Sequence, residues 1–215
     1  MWYSETVALS NETNYYKLID ELVQIQQNAS SWTHQEIYNK AVERVTSLDK
    51  DDVDFFKLSL ALHEAAPKIE AYNQYYQQAI LPSLVEYDDQ CDVWVQVDNK
   101  QACSLEALIE ALKNTNSVSV NHALLPFDHV IRPMNKKPQK TLVLYTNTFS
   151  ANFNEFYTWL KSKVEDQNLM FVIRYKPSST EKIPLYLSGF GVEMALKKTD
   201  YLVIDDRGIQ NIQYL

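Results

Sequence analysis

The sequence predicts an α/β fold, a central mixed sheet flanked by helices, with a large helical extension ahead of it. Three observations carry this expectation. Up to residue 90 the apolar side chains recur at helical spacing, and from Asp92 the period shortens to that of strands. A strand–helix–strand unit then stands out between Thr141 and Ile173. We read the 215 residues as a single domain, with 1–90 mainly helical and 91–215 mainly α/β.

Tyr15, Ile19, Leu22 and Val23 form the first apolar face, followed by Ile25 and a polar run to Ser31. Thr33-His34-Gln35-Glu36 has the capping-box pattern, in which the Thr33 hydroxyl and the Glu36 carboxylate each take the other residue's amide. Behind it Ile37, Ala41, Val45 and Leu48 repeat at helical spacing. The acidic residues Asp49, Asp51 and Asp52 favour the next helix start. There Phe55, Phe56, Leu58, Leu60, Ala61 and Leu62 are apolar nearly all round, so this helix is expected to be buried over most of its surface, with His63 partly buried on it. Pro67 closes that helix or opens the following one, whose stripe is Ile69, Tyr72, Tyr76, Ala79 and Ile80.

Val93, Val95 and Val97 alternate with Trp94 and Gln96 as in a strand, and Ser104 can cap a helix bearing Leu105, Leu108, Ile109 and Leu112. Val118 and Val120 suggest a further strand. Thr141–Tyr145 and Leu169–Ile173 are buried-strand runs around a helix marked by Phe153, Phe156, Tyr157 and Leu160, which makes a parallel crossover. Leu185-Tyr186-Leu187 and Tyr201–Ile204 then read as antiparallel strands, and the whole pattern suggests a thioredoxin-like layer.

Composition narrows the chemistry. A hydrophobic fraction of 46% with 14 Tyr is ample for a core. Only Gly189, Gly191 and Gly208 are glycines, so no Gly-rich phosphate loop can form before the last quarter. A net charge of -8 repels nucleic acid and anionic membrane, and no apolar run is long enough for a membrane span. The segment after Met1 lacks the basic and apolar regions of a signal peptide. That reads either as a cytosolic protein or as a secretory one without its leader. Asn11-Glu12-Thr13 and Asn28-Ala29-Ser30, both N-glycosylation acceptor triplets, favour the second.

Thioredoxin-type exchange needs thiols at the start of the helix after the first crossover strand, where the helix dipole favours thiolate. Here that place reads Tyr145-Thr146-Asn147-Thr148-Phe149-Ser150-Ala151-Asn152 and holds no sulfur. The two cysteines, Cys91 and Cys103, instead straddle the strand around Val95 and the turn Asp98-Asn99-Lys100, where a hairpin would set them opposite one another. A structural disulfide would imply an oxidising compartment; two unrelated buried thiols and a catalytic pair are the other readings. His34, His63, His122 and His129 lie at no metal-ligand spacing. Asp128-His129 reads as a packing or hydrogen-bonding pair, because no nucleophile elbow accompanies it. Gly189-Phe190-Gly191 reads as a turn needing positive φ.

The run Leu187-Ser188-Gly189-Phe190-Gly191-Val192-Glu193-Met194-Ala195, followed by Lys197-Lys198-Thr199-Asp200-Tyr201, resembles the N-terminal region of UDP-glucose:glycoprotein glucosyltransferases. Ala65–Ala71, the Cys91–Cys103 pair, Leu124–His129 and Val172–Tyr175 are similar to that family in the same order. The resemblance implies the first of several thioredoxin-like domains in an enzyme of the endoplasmic reticulum lumen that transfers glucose from UDP-glucose to high-mannose glycans of misfolded glycoproteins. It also implies that the transferase domain and its calcium site lie far C-terminal, so this chain is expected to hold no catalytic residue, metal or cofactor. The expected partners are misfolded glycoproteins and neighbouring thioredoxin-like domains. A free-standing disulfide-isomerase-like chaperone, an active oxidoreductase and a structural spacer are the rival readings. Asn211–Leu215 is no retention signal and reads as mid-chain.

Overall fold

The computed structural model describes residues 2–26, 33–47, 50–84, 87–88, 90–114, 124–134, 137–147, 150 and 152–176. The expected strands around Val118 and at 185–187 and 201–204, the Gly189–Gly191 turn, Asn28, His122 and the motif Leu187, Ser188, Gly189, Phe190, Gly191, Val192, Glu193 lie outside them.

The described elements run α1 (Trp2–Ser10), α2 (Glu12–Gln26), α3 (His34–Thr46), α4 (Lys50–Ala61), α5 (Ala66–Tyr75), β1 (Trp94–Val97), β2 (Lys100–Ala102), α6 (Leu105–Asn114), β3 (His129–Ile131), β4 (Lys140–Thr146), α7 (Phe153–Asp166) and β5 (Leu169–Tyr175). The sheet has the order β2-β1-β4-β5-β3. The β4–β5 pair is parallel, from Lys140 opposite Leu169 to Thr146 opposite Tyr175, and every other pairing is antiparallel. The crossover through α7 therefore sits where the sequence placed it. The antiparallel hairpin that flanks it, β1–β2, precedes the crossover in the chain.

Strand alternation sends side chains to two different layers. Val95, Val97, Leu142, Leu144, Phe171 and Ile173 pack with α2, α6 and α7, through residues such as Ile19, Leu108, Phe156 and Leu160. Trp94, Val143, Tyr145 and Val172 face the opposite side and meet Tyr76 and Ile80. Both faces of the sheet are covered, which explains why β4 and β5 read as continuous apolar runs.

The helical extension has a core of its own, in which Val7, Leu18, Leu22, Ala41, Val45 and Phe56 meet. Helix α2 thus serves two cores: Tyr15, Ile19 and Val23 face the sheet, whereas Leu18 and Leu22 face the extension. Leu22 belongs to the second face, not to the single face expected. The capping box at Thr33 and Glu36 forms, with the Glu36 carboxylate 2.8 Å from the Thr33 amide. The Thr33 hydrogen bonds hold the exposed Glu36 carboxyl below the usual carboxylate range.

Two expectations for α4 are corrected. The helix is not buried on most of its surface, since Phe55 and Leu58 remain 45% and 48% exposed while Phe56 packs inward. It packs chiefly against α1 and α3, and Phe56 on the packed face joins the core of the extension. His63 is exposed and stands beyond the helix end with φ of 54°, its ring 5.3 Å from that of Trp2. Pro67 opens α5, and the stripe Ile69, Tyr72, Tyr76, Ile80 is buried, whereas Ala79 is exposed. A π-helical turn over Tyr76–Ile80 rotates Tyr76 and Ile80 onto the sheet. Among the described residues no helix is long and apolar enough to cross a membrane.

Candidate functional site

Ligand chemistry in a parallel crossover is expected at the carboxyl ends of its strands, here Thr146 of β4 and Tyr175 of β5, beside the start of α7. Between β4 and α7 the Ser150 amide donates to the Asn147 carbonyl at 2.9 Å and the Phe153 amide to the Ser150 carbonyl at 3.0 Å. Asn152 precedes the helix and makes no side-chain capping bond. No thiol stands at this helix start, so the dipole there has nothing to activate.

Around this strand end the structure assembles charges instead. Asp128, on the approach to β3, and Arg174, on β5, form a buried bidentate pair. Arg174 Nε donates to Asp128 Oδ1 at 2.9 Å and Nη2 donates to Oδ2 at 2.7 Å. Nη1 donates to the Tyr145 hydroxyl at 3.4 Å, and the guanidinium lies 5.1 Å from the Tyr75 ring centre. Burial alone would lower the Arg174 pKa, but the Asp128 bonds outweigh it and hold the guanidinium charged.

One residue further along, His129 faces a second cluster. Its Nε2 lies 3.1 Å from both oxygens of Glu5 on α1 and 3.1 Å from Lys68 Nζ on α5, and Lys68 is itself 2.7 Å from Glu5 Oε2. Glu5 is completely buried and His129 is 3% exposed. Lys68 already donates to the carboxylate, and a proton on Nε2 completes it. Nδ1 is left without a hydrogen-bond partner, 3.9 Å from Glu12 Oε1. Burial would raise the Glu5 carboxyl, yet His129 and Lys68 together hold it below the usual range. The Tyr15 ring stacks on the imidazole with centres 3.6 Å apart. Burial pushes the Tyr15 hydroxyl well above its ordinary value, so it is neither an acid nor a nucleophile near neutrality.

Asp128 and His129 are thus the pair of hydrogen-bonding residues that the sequence suggested, but their partners escaped it. Glu5, Lys68 and Arg174 are separated from them by dozens of residues. The available signal was an arginine directly after the apolar run Leu169–Ile173 and a glutamate in a helix whose buried stretch is Ser4-Glu5-Thr6-Val7.

The cysteines lie at the same end of the sheet. Cys91 and Cys103 are joined by a disulfide, with Cα atoms 5.7 Å apart, across the β1–β2 hairpin. Buried Lys176, just after β5, donates from Nζ to the Cys91 carbonyl and so ties the hairpin to the crossover. Asp88 approaches the two sulfurs, but a bonded disulfide offers no thiolate to a metal. Asn11 is exposed between α1 and α2, its Oδ1 accepting from the Thr13 amide at 2.8 Å.

Comparison with known proteins places this arrangement. The thioredoxin-like domain family matches residues 1–183. The chain is similar to human UDP-glucose:glycoprotein glucosyltransferase 2, 26% identical over 216 residues, which cover 97% of this chain and 13% of that protein. It is also 26% identical to human UDP-glucose:glycoprotein glucosyltransferase 1 over 211 residues, 98% of this chain and 13% of the relative. The Drosophila melanogaster enzyme of the same name aligns over 180 residues at 26% identity, 81% of this chain and 11% of that one. The chain therefore spans about one eighth of the length of these relatives, a share in which no transferase domain is shown. With a sulfur-free helix start, a parallel crossover and this match, the chain belongs to the thioredoxin-like domain family.

Proposed function

We propose that this chain is a redox-inactive thioredoxin-like module of a UDP-glucose:glycoprotein glucosyltransferase, working in the endoplasmic reticulum lumen, where it contributes to recognition of misfolded glycoproteins. The observation that carries this reading is the carboxyl end of β4 and β5. The helix start holds no thiol, and the surrounding charges, Asp128 with Arg174 and Glu5 with His129 and Lys68, are turned on one another. The fold keeps its shape and lacks the chemistry, which suits a scaffold or a recognition surface. In this reading the parent enzyme transfers glucose from UDP-glucose to high-mannose glycans through a calcium-dependent domain elsewhere, and this chain needs no cofactor. Its partners are misfolded glycoproteins and neighbouring thioredoxin-like domains. Cys91 and Cys103 pair in the oxidising lumen, and Asn11 and Asn28 are glycan acceptors.

Binding by one such module is weak. Burial of an apolar client segment contributes about 25 cal/mol per Å². Lost rotational and conformational freedom offsets most of it. Several modules around one client raise the effective concentration. Titration of the chain with a denatured glycoprotein and with the native form tests the reading. We expect saturable binding to the denatured form alone. Equal, negligible binding to both would leave the chain as a spacer, and insulin-reductase activity would overturn the redox-inactive assignment.

A further inference from the structure

The opposite end of the crossover, where β4 and β5 begin, carries a cavity of about 260 Å³. Its apolar wall is Ile109 and Leu112 of α6, Leu169 at the start of β5, and the half-buried indole of Trp159 on α7. Its charged rim is Lys113 and Lys140, with no carboxylate among the lining residues. A third lysine, Lys163, holds its ammonium 5.9 Å from the centre of the Trp159 ring. In a chain of net charge -8, this is a local inversion of sign.

We propose that this cavity is a docking site for an acidic–apolar peptide segment, one large apolar side chain entering the cavity while an adjacent carboxylate meets Lys113. The proposal rests on the client-binding reading above and names the site for it. Size sets the anchor: an apolar cavity of about 150 Å³ already admits benzene, so 260 Å³ holds one ring-bearing or branched side chain and little more. A longer segment must lie across the rim.

Charge sets the flank. The cavity lies against the carboxyl-terminal halves of α6 and α7, whose dipoles would by themselves disfavour an anion. Lys140 answers part of this, since its Nζ donates to the Leu112 carbonyl at 3.5 Å. Lys113 stands in the last turn of α6, exposed, with no hydrogen-bonding or ionic partner among the described residues. The side chains of Gln139 and Gln167, also on the rim, make no hydrogen bond to another described residue and are free to take the backbone of a segment lying there. An apolar floor with a few convergent, unengaged polar groups is the usual make-up of a recognition site.

The test is a titration of the isotope-labelled chain, followed by nuclear magnetic resonance, with three blocked tetrapeptides: Glu-Phe-Glu-Leu, Lys-Phe-Lys-Leu and Glu-Ala-Glu-Ala. The Trp159 indole N–H signal is assigned by its loss in Trp159→Phe. We expect Glu-Phe-Glu-Leu alone to shift it, together with the amides of Lys113 and Gln139. Charge reversal in Lys113→Glu should weaken that peptide about fivefold, and salt should weaken it further. An unmoved Trp159 signal at millimolar peptide overturns the proposal, as do equal shifts from the lysine peptide or shifts from Glu-Ala-Glu-Ala. Binding of an anionic aromatic dye in place of the peptide would mark a small-molecule pocket and overturns it too. A second arm separates this failure from that of the function itself. Denatured glycoprotein that binds wild-type and Lys113→Glu chains alike leaves client binding standing and removes the cavity from it. Peptide binding at Trp159 without any preference for denatured glycoprotein does the reverse.

Discussion

The two ends of the β4–β5 pair are built on opposite principles. At the carboxyl end, where thioredoxin chemistry would sit, the buried charges are paired: Asp128 with Arg174, Glu5 with His129 and Lys68, and Lys176 with the Cys91 carbonyl. At the amino end an exposed lysine and two glutamine side chains surround an indole, and these side chains have no hydrogen-bonding or ionic partner among the described residues. Polar groups that satisfy one another hold a structure together but have little left to give a ligand. The charged groups described at the carboxyl end are therefore engaged in holding the fold together.

This contrast can be broken most forcefully at Arg174. Replacing it with Leu leaves Asp128 buried and uncompensated, a change that costs about 3–5 kcal/mol. Chemical denaturation should show a midpoint far below wild type, and the double variant Asp128→Leu, Arg174→Met should recover much of the loss. If the single variant were as stable as wild type, the paired-charge description of the carboxyl end would fail.

Reduction of the Cys91–Cys103 bond should have the next largest effect. It opens a short loop, with 12 residues of sequence separation. Chain entropy assigns about 3 kcal/mol to a loop of this size. Intact mass after alkylation of the native protein should show no modified thiol, and urea midpoints with and without reductant should differ.

Glu5 supplies a pH dependence whose sign can be stated. Its carboxyl is held below the ordinary value of 4.5 by His129 and Lys68 against the opposing pull of burial. The stability it contributes is present above that ordinary value and is lost as pH falls through the lower, folded value. Wild type should therefore lose stability on acidification below about pH 4.5, and Glu5→Gln should flatten that part of the curve. At neutral pH the same variant should be less stable by about 1–3 kcal/mol, since Lys68 and His129 lose a charged acceptor. A stability curve of unchanged shape in the variant would show that the cluster does not titrate with folding.

The smallest effect is expected at the amino end. The Lys113 and Gln139 side chains have no hydrogen-bonding or ionic partner among the described residues, so Lys113→Ala and Gln139→Ala should change stability by less than about 0.5 kcal/mol in thermal unfolding. A larger loss in either would mean that the open end is structural after all, and the contrast would dissolve.

Much of this architecture is legible in sequence wherever a short-range pattern carries it. The crossover reads from two apolar runs and the helical spacing between them, because central strands covered on both faces leave little room for polar residues. The capping box at Thr33 reads from four consecutive residues. Asp128-His129 reads as a packing or hydrogen-bonding pair, but its partners do not, since Glu5 and His129 are 124 residues apart.

What the sequence by itself determined is the fold class, the parallel crossover and the missing thiol at the helix start, all of which rest on periodicity or on the identity of a few adjacent residues. Only the tertiary structure decided which face each apolar side chain would use. Helix α4 carries a dense apolar stretch from Phe55 to Ala61 yet shows Phe55 and Leu58 to solvent, while α2 splits its apolar residues between two cores. The physical reason is that hydrophobicity measures what a side chain gains if a partner arrives, and only the packing of distant segments supplies the partner. The same holds for charge. Arg174 and Lys113 are both cations at the ends of regular elements, but one is engaged by Asp128 and the other has no partner among the described residues, a difference set by neighbours far away in the chain.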